Sequence, residues 1–334
     1  MDELKNETVE ETTSTIAEET SVENTETAKE NTLAQAVMHE RDIEKVTARQ
    51  RVGKFFVQFG LYLFLGIMAL IVIFPFYWMI ISSLKTLSEY ELSHPTFFPN
   101  EIHFENYANA FVDGNMDRLF LNTLYVGVVS TLLSLVLTVL AAFAFSRLEF
   151  KGKNALFAFL LATMMIPGEL FTITNFITVN RLEWTNTYTV LIVPFLVSVF
   201  YIYLLKQNFQ QIPNELYLAA KIDGTTDLKY LGKVMIPLAL PTIISITILK
   251  MMGSWNSYMW PKLVANDDAH KLITNGIRGM EFFAKDALGN PIQGRTDFPR
   301  QMAAVTIVSI PLFLVFIFLR KYIMKGVSRS GIKG

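Results

Sequence analysis

The sequence contains no cysteine, which rules out a disulfide framework, a thiolate metal site and a cysteine nucleophile. Histidine is scarce as well. His39, His94, His103 and His270 are scattered, and none stands at metal-ligand spacing from another ligand. Charged residues make up 18% of the chain, where a soluble domain carries about 25%. The formal net charge is only −1, so there is no basic surplus to argue for nucleic acid. No G-x-x-x-x-G-K-[ST] loop occurs. The pairs Gly53-Lys54, Gly152-Lys153 and Gly232-Lys233 are followed by Phe, Asn and Val, so the chain has no phosphate cradle with which to hydrolyse ATP. The apolar segments hold no paired carboxylates and no nucleophile–base set, which argues against a membrane enzyme. The two halves show no clear internal pairing, which argues against a stand-alone secondary transporter.

Apolar residues are abundant. Of 334 residues 51% are hydrophobic, with 27 Phe and 12 Tyr, and the mean hydropathy is +0.35. Six apolar segments reach the ~20 residues that a helix needs to cross a bilayer. They cover 56–84, 120–146, 154–180, 186–206, 234–260 and 300–324. Only helices satisfy their own backbone in lipid over such lone runs, so the expected fold is an all-α integral membrane protein with six transmembrane helices. In the third segment, MMIPGELFTITNF, Pro167-Gly168 predicts a kink or break. The first ~50 residues differ in kind. Residues 1–40 hold eleven Asp and Glu and almost no apolar run, a composition that predicts a disordered acidic tail over 1–50, with the six-span domain over 51–334. With neither a basic start nor an apolar core, that tail does not read as a secretory signal.

Lys and Arg set the expected orientation. Arg41, Lys45, Arg49, Arg51 and Lys54 precede the first span. Arg147, Lys151 and Lys153 follow the second, Lys206, Lys221, Lys229 and Lys233 follow the fourth, and Arg320, Lys321, Lys325, Arg329 and Lys333 follow the sixth. The short opposite loops carry Lys85, Arg118 and Arg181. Both termini and the loop at about 207–233 are therefore expected in the cytoplasm.

That loop contains the most informative stretch, NELYLAAKIDGTTDLKYLGKVMIPLALP, residues 214–241. Pro213 suits a helix start, and Glu215 complements its positive end. Leu218, Ala219 and Ile222 share one weakly apolar face with Glu215. Gly224 predicts a C-terminal stop, and Thr225 or Thr226 a cap for a second helix with Asp227 in its first turn. Pro237 and Pro241 fall where that helix enters the membrane. An interfacial helix with no partner has the same pattern.

The spacing Leu218-Ala219-Ala220, three residues, Gly224, nine residues, Val234-Met235-Ile236-Pro237 resembles the Glu-Ala-Ala…Gly…Ile-x-Leu-Pro signature of permease subunits of binding-protein-dependent ABC importers. Leu218 replaces the glutamate of the motif, and Glu215 stands one turn earlier. PFYWMIISSLKT (75–86), FENYANAF (104–111), AAFAFSRLEFKGK (141–153), IPGELFTITNF (166–176) and WNSYMWPKL (255–263) resemble the second permease of carbohydrate importers of the maltose type, as does the GIKG end. The resemblance covers roughly 52–334. It implies a type I ABC importer permease fold with a cytoplasmic coupling helix. It also implies a second homologous permease, two cytoplasmic ATPase subunits that bind the ATP and Mg, and an extracytoplasmic sugar-binding protein. Localisation would be the bacterial cell membrane. Glu215, Ala219, Ala220, Asp223, Gly224 and Pro237 would then form the joint with the ATPase.

Polar and aromatic groups within spans are the candidates for a substrate path, because lipid disfavours them. They are Glu169, Thr172, Thr174 and Asn175 in the third span, and Lys250, Ser254, Trp255, Asn256, Tyr258 and Trp260 in the fifth. Aromatic faces with amides and hydroxyls suit a sugar. The three aromatics also fit an interfacial belt, and Asn175 and Asn256 also fit helix–helix hydrogen bonds. Lys250 either pairs with Glu169 or faces a water-filled cavity. The same machinery could carry glycerol-phosphate or an amino sugar. The absence of arginine from the spans favours a neutral cargo.

Overall fold

In the computed structural model the described residues are 55–280, 282–286 and 288–328, with side chains described to Arg320, so the acidic segment 1–50 and the GIKG end lie outside them. The chain divides into two compact units, one ending at Phe76 and one beginning at Tyr77. The described part of the first is the beginning of helix α1 (Phe55–Ser83), an unbroken apolar helix long enough to cross a membrane. In the second unit, α2 (Leu87–Tyr90) and α3 (Glu105–Asp113) lead into α4 (Met116–Arg147), another unbroken apolar helix. Its 32 residues reach about 48 Å at 1.5 Å per residue, longer than a hydrocarbon core of roughly 30 Å.

The next three apolar segments are helix pairs, each bent at a short break with a proline in or beside it. α5 (Lys153–Thr163) and α6 (Thr172–Arg181) flank a 3-10 turn at Gly168–Phe171, and the two arms diverge by 82°. This is the break that Pro167-Gly168 predicts. α7 (Tyr188–Ile192) passes through a 3-10 turn at Val193–Phe195 into α8 (Val199–Gln210), with a bend of 45°. α9 (Asn214–Ile222) and α10 (Asp227–Tyr230) precede a π-type turn at Leu231–Met235, α11 (Ile236–Leu238) and α12 (Leu240–Trp255). Here the arms meet at 81°. The expected continuous span over 234–260 is thus bent at Ala239, and the part beyond the bend is α12. Pro237 and Pro241 sit in the first turns of α11 and α12, where a missing N–H costs nothing. α13 (Met259–Val264) and α14 (Ile273–Gly279) follow. A hairpin of β1 (Phe283–Lys285) and β2 (Pro291–Thr296), antiparallel with Phe283 opposite Thr296, then precedes α15 (Phe298–Ser328). The hairpin is a small addition to the expected all-helical fold. α15 supplies the third unbroken apolar helix, over Phe298–Arg320.

α4 is the central strut, packed against α3, α7, α8, α12 and α14. Its buried face carries Asn122, Thr123, Ser130, Thr131, Ser134 and Thr138. Small and hydroxyl-bearing residues let helices approach closely in lipid, where burial of apolar surface gives no net drive. A Cβ placed on Gly127 would lie 2.9 Å from Met251 Sδ, so α12 crosses α4 at that glycine. Thr123 Oγ1 accepts from Ile273 N at 2.8 Å and donates to Leu119 O. Asn122 Nδ2 donates to Ala269 O and Lys271 O, at 2.8 and 3.0 Å, and its Oδ1 accepts from the Tyr188 hydroxyl. These bonds anchor α14 and its approach segment to the strut.

The same end of the unit is braced by buried charge. Glu89 accepts from Thr96 Oγ1 at 2.7 Å and from Asn100 N at 3.0 Å. Asn106 Nδ2 donates to Ser83 O and Lys85 O. Arg300 bridges Asp113 and Asp297 at 3.1 and 3.2 Å. Arg295 holds the exposed Glu91, and its hydrogen bonds keep that carboxyl below its ordinary pKa.

Gly276 tests this packing. A Cβ there would lie 2.6 Å from both Cδ atoms of the buried Leu119. Gly276→Val should cost about 1–3 kcal/mol through overpacking. It should lower the unfolding midpoint of the purified chain by several degrees, and an unchanged midpoint would show that Leu119 has room to move.

Candidate functional site

α9 is built by local rules. Pro213 precedes it as the N-cap, one position earlier than expected, and Glu215 lies in its first turn. Its end is a Schellman turn: Gly224 N donates to Lys221 O at 3.0 Å and Thr225 N to Ala220 O at 2.8 Å. Gly224 has φ +70, and a Cβ there would meet nothing within 4 Å. Backbone conformation, rather than crowding, demands the glycine. Thr226 caps α10 through its carbonyl, which accepts from Tyr230 N, with no side-chain bond.

Asp227 fastens the two helices together. It accepts from the Tyr217 hydroxyl at 2.8 Å and from Lys221 Nζ at 2.7 Å. That bond keeps the Lys221 ammonium above its ordinary pKa. Tyr217 also stacks obliquely on Tyr230, which is 1% exposed, and edge-on against Phe143. Tyr217 and Ala220 therefore form the inward face of α9, against a core of Phe143, Leu205, Phe209, Tyr230, Met235 and Ile246. Glu215, Leu218, Ala219, Ile222, Asp223 and Gly224 are exposed, Ile222 at 87%. Pro237 is exposed as well. The apolar face read from the sequence thus points away from the chain. The start of the loop is fixed by Arg147, whose Nη2 donates to Phe209 O at 3.0 Å and Ile212 O at 2.6 Å. In the sequence Arg147 is only an orienting charge, and its role is visible only once α4 and α8 are side by side.

A second feature is a cleft of about 350 Å³ between α4, the α7–α8 bend and α12. Ser130, Ser198, Tyr201, Lys250, Ser254 and Ser257 supply its polar lining, and Phe195, Gly253 and Trp260 part of the rest. Of these the sequence singles out Lys250, Ser254 and Trp260. Ser130, Ser198, Tyr201 and Ser257 carry no separate signal, since a lone hydroxyl in an apolar run reads as helix packing. Lys250 does not pair with Glu169; its Nζ donates to Phe195 O at 2.6 Å. Trp260 is 8% exposed and its Nε1 donates to Val190 O at 3.0 Å.

The remaining candidates lie elsewhere. Trp255 is buried against Phe120, at 5.6 Å between rings, in a core with Met116, Leu119 and Ile273. Asn256 is exposed and closes its own helix, Nδ2 to Met252 O at 2.9 Å. Tyr258 lies under Lys262 and Arg278. Glu169, Thr174 and Asn175 are exposed, and Thr172 is partly buried. Among the described residues no group of three or more His, Asp and Glu could hold a metal ion.

An exposed apolar helix on a short loop, broken spans and a polar cleft within the bundle fit a polytopic membrane transport subunit. The model of the binding-protein-dependent transport system inner membrane component family matches residues 134–329, and the chain belongs to that family. The diacetylchitobiose uptake system permease protein NgcG of Streptomyces coelicolor is 30% identical over 264 residues, covering 78% of this chain and 84% of its own. The trehalose/maltose transport system permease protein MalG of Thermococcus litoralis is 29% identical over 277 residues, covering 80% and 94%. A chain of a bacterial ABC transporter involved in alginate import superimposes with a TM-score of 0.69 at 23% identity, over 78% of this chain and 94% of that one. The fold is that of an ABC importer permease, and the protein is a transport subunit rather than an enzyme. Such a subunit acts with a partner permease, an ATPase and a binding protein.

The Asp227 fastening has a direct test. Asp227→Ala removes an exposed ion pair and one hydrogen bond, a small loss because solvent screens the pair. Tryptic cleavage after Lys221 in the purified chain should accelerate about two- to fivefold. An unchanged rate would mean that Tyr217 and Tyr230 alone hold the turn.

Proposed function

We propose that this chain forms one half of the translocation path of an ATP-driven oligosaccharide importer and that α9 is its coupling helix. The observation that carries this is the outward apolar face of α9, Leu218, Ala219 and Ile222, on a helix whose opposite face is locked to the bundle. A rigid helix with an unpartnered face suits a cleft in an ATPase subunit. Glu215, Ala219, Asp223 and Gly224 make the contact, Ala220 seats the helix, and Pro237 marks the connection toward α12. Two ATPase subunits and a second, homologous permease complete the assembly. The Lys and Arg distribution supports a cytoplasmic position for both termini and the 207–233 loop, with the acidic 1–50 segment as a tail before the 51–334 permease domain. The opposite side, with 85–119 and 261–299, receives the binding protein.

A saccharide cargo is supported by the relatives, whose names specify diacetylchitobiose, arabinooligosaccharides and trehalose/maltose. The path runs along the face of α12 that bears Lys250 and Ser254. The exposed Glu169, Asn175 and Asn256 await cover from the partner permease. The buried Trp255 sets the rotation of α12.

Co-purification from native membranes, with ATPase activity assayed on the product, tests the coupling role. Recovery with a second permease and ATPase subunits is expected. Gly224→Val places a branched side chain at φ +70, a cost of roughly 1–2 kcal/mol. It should reduce binding-protein-stimulated hydrolysis at least tenfold while the chain still inserts. Recovery of the chain alone, with uptake driven by an ion gradient, would sink the importer reading.

A further inference from the structure

We infer that the cleft between α4, the α7–α8 bend and α12 is a subsite for a carboxylate-bearing sugar unit, with Lys250 as its cationic anchor. This rests on the saccharide reading above and narrows it. The cleft measures about 350 Å³, within the roughly 300–1,000 Å³ of small-molecule sites. Lys250 is its one charged lining residue. Among the described residues no carboxylate pairs with Lys250. Its one protein bond is to Phe195 O, which leaves two of the three ammonium donors unassigned. A cation within a membrane span is costly unless a partner or water meets it. A neutral sugar leaves that charge uncompensated, whereas a uronate supplies the counter-charge and a charge-assisted hydrogen bond.

The rest of the lining suits the same ligand. Ser254 and Ser257 use neither hydroxyl in a side-chain hydrogen bond within the described residues, so both are available to ring hydroxyls. Phe195, Tyr201 and Trp260 supply apolar faces for the C–H side of a pyranose. Gly253 adds no bulk, and a Cβ placed on it would meet nothing within 4 Å. A lysine needed only to cap Phe195 O would not require a serine-lined cavity around it. The neutral cargo favoured by the absence of arginine thus gives way to an acidic one, recognised by a lysine.

The test uses the co-purified transporter in lipid nanodiscs, with digalacturonate and neutral digalactose as probes. Digalacturonate should bind at least tenfold more tightly. Lys250→Gln should bring the two within about twofold, and Lys250→Arg should retain the preference, with unchanged subunit recovery and unfolding midpoint. Gly253→Met should abolish digalacturonate binding by filling the cleft. Equal binding of the two probes, no binding of the acidic one, or a preference that survives Lys250→Gln or Gly253→Met would each overturn the subsite. ATP-dependent uptake of malto- and galacturono-oligosaccharides separates this failure from that of the broader reading. Uptake of neutral oligosaccharide without acidic binding rejects the subsite alone, and uptake of neither rejects the saccharide reading with it.

Discussion

A helix broken inside a membrane leaves backbone groups that water cannot reach, and this chain breaks three of its six apolar segments. The repairs come from distant parts of the sequence. At the α7–α8 bend, Lys250 Nζ reaches Phe195 O and Trp260 Nε1 reaches Val190 O, from 55 and 70 residues away. Ser198 then caps α8 by accepting from Tyr201 N. At the far end of α8, Arg147 satisfies Phe209 O and Ile212 O. Apart from the local Ser198 cap, each of these bonds is also a tie between helices, so the breaks and the tertiary structure depend on one another. Breaking α7–α8 opens the cleft, and the groups that mend the break are among those that line it.

The spans are legible in the sequence because run length alone measures a bilayer, and α4 and α15 appear where apolar length places them. The break at Pro167-Gly168 is legible because proline and glycine coincide. The break at Ala239 is not. Pro237 and Pro241 each occupy a first helical turn, where proline is equally at home in a helix that is starting and in one that has been interrupted. The segment around α9 reads well for the opposite reason: Pro213, Gly224 and Thr226 act on neighbours within a few residues. What lies beyond that range cannot be read. Nothing local marks Asp227 as the acceptor for both Tyr217 and Lys221, and Trp255 fits a belt, a sugar platform or a core until Phe120 is known to lie beside it.

The departure at Leu218 also has a physical explanation. The position is 54% exposed on the outward face of α9, with Ile222 one turn on. The carboxylates that the loop needs for its own folding are elsewhere, Glu215 at the positive end of the helix and Asp227 across the turn. A leucine at 218 therefore leaves the scaffold intact and changes only the chemistry offered to whatever covers that face. It makes the contact more apolar, with Glu215 and Asp223 at its margins.

α9 and the cleft are linked by a short chain of contacts. Tyr217 on α9 stacks against Tyr230, and Tyr230 packs in one buried cluster with Met235, Ala239 and Ile246. Ile246 is on α12, and Lys250 follows it by four residues, about 6 Å along a helix. Because α12 is a single helix from Leu240 to Trp255, a displacement of α9 that shifts this cluster must rotate or translate the turn carrying Lys250. The 81° bend at the buried Ala239 separates α12 from the segment that precedes it. The lysine's bond to Phe195 O belongs to the other wall of the cleft. An occupant of the cavity that reached Lys250 would share it with this backbone acceptor. The loop and the cleft are thus joined through one buried cluster and the helix that packs on it.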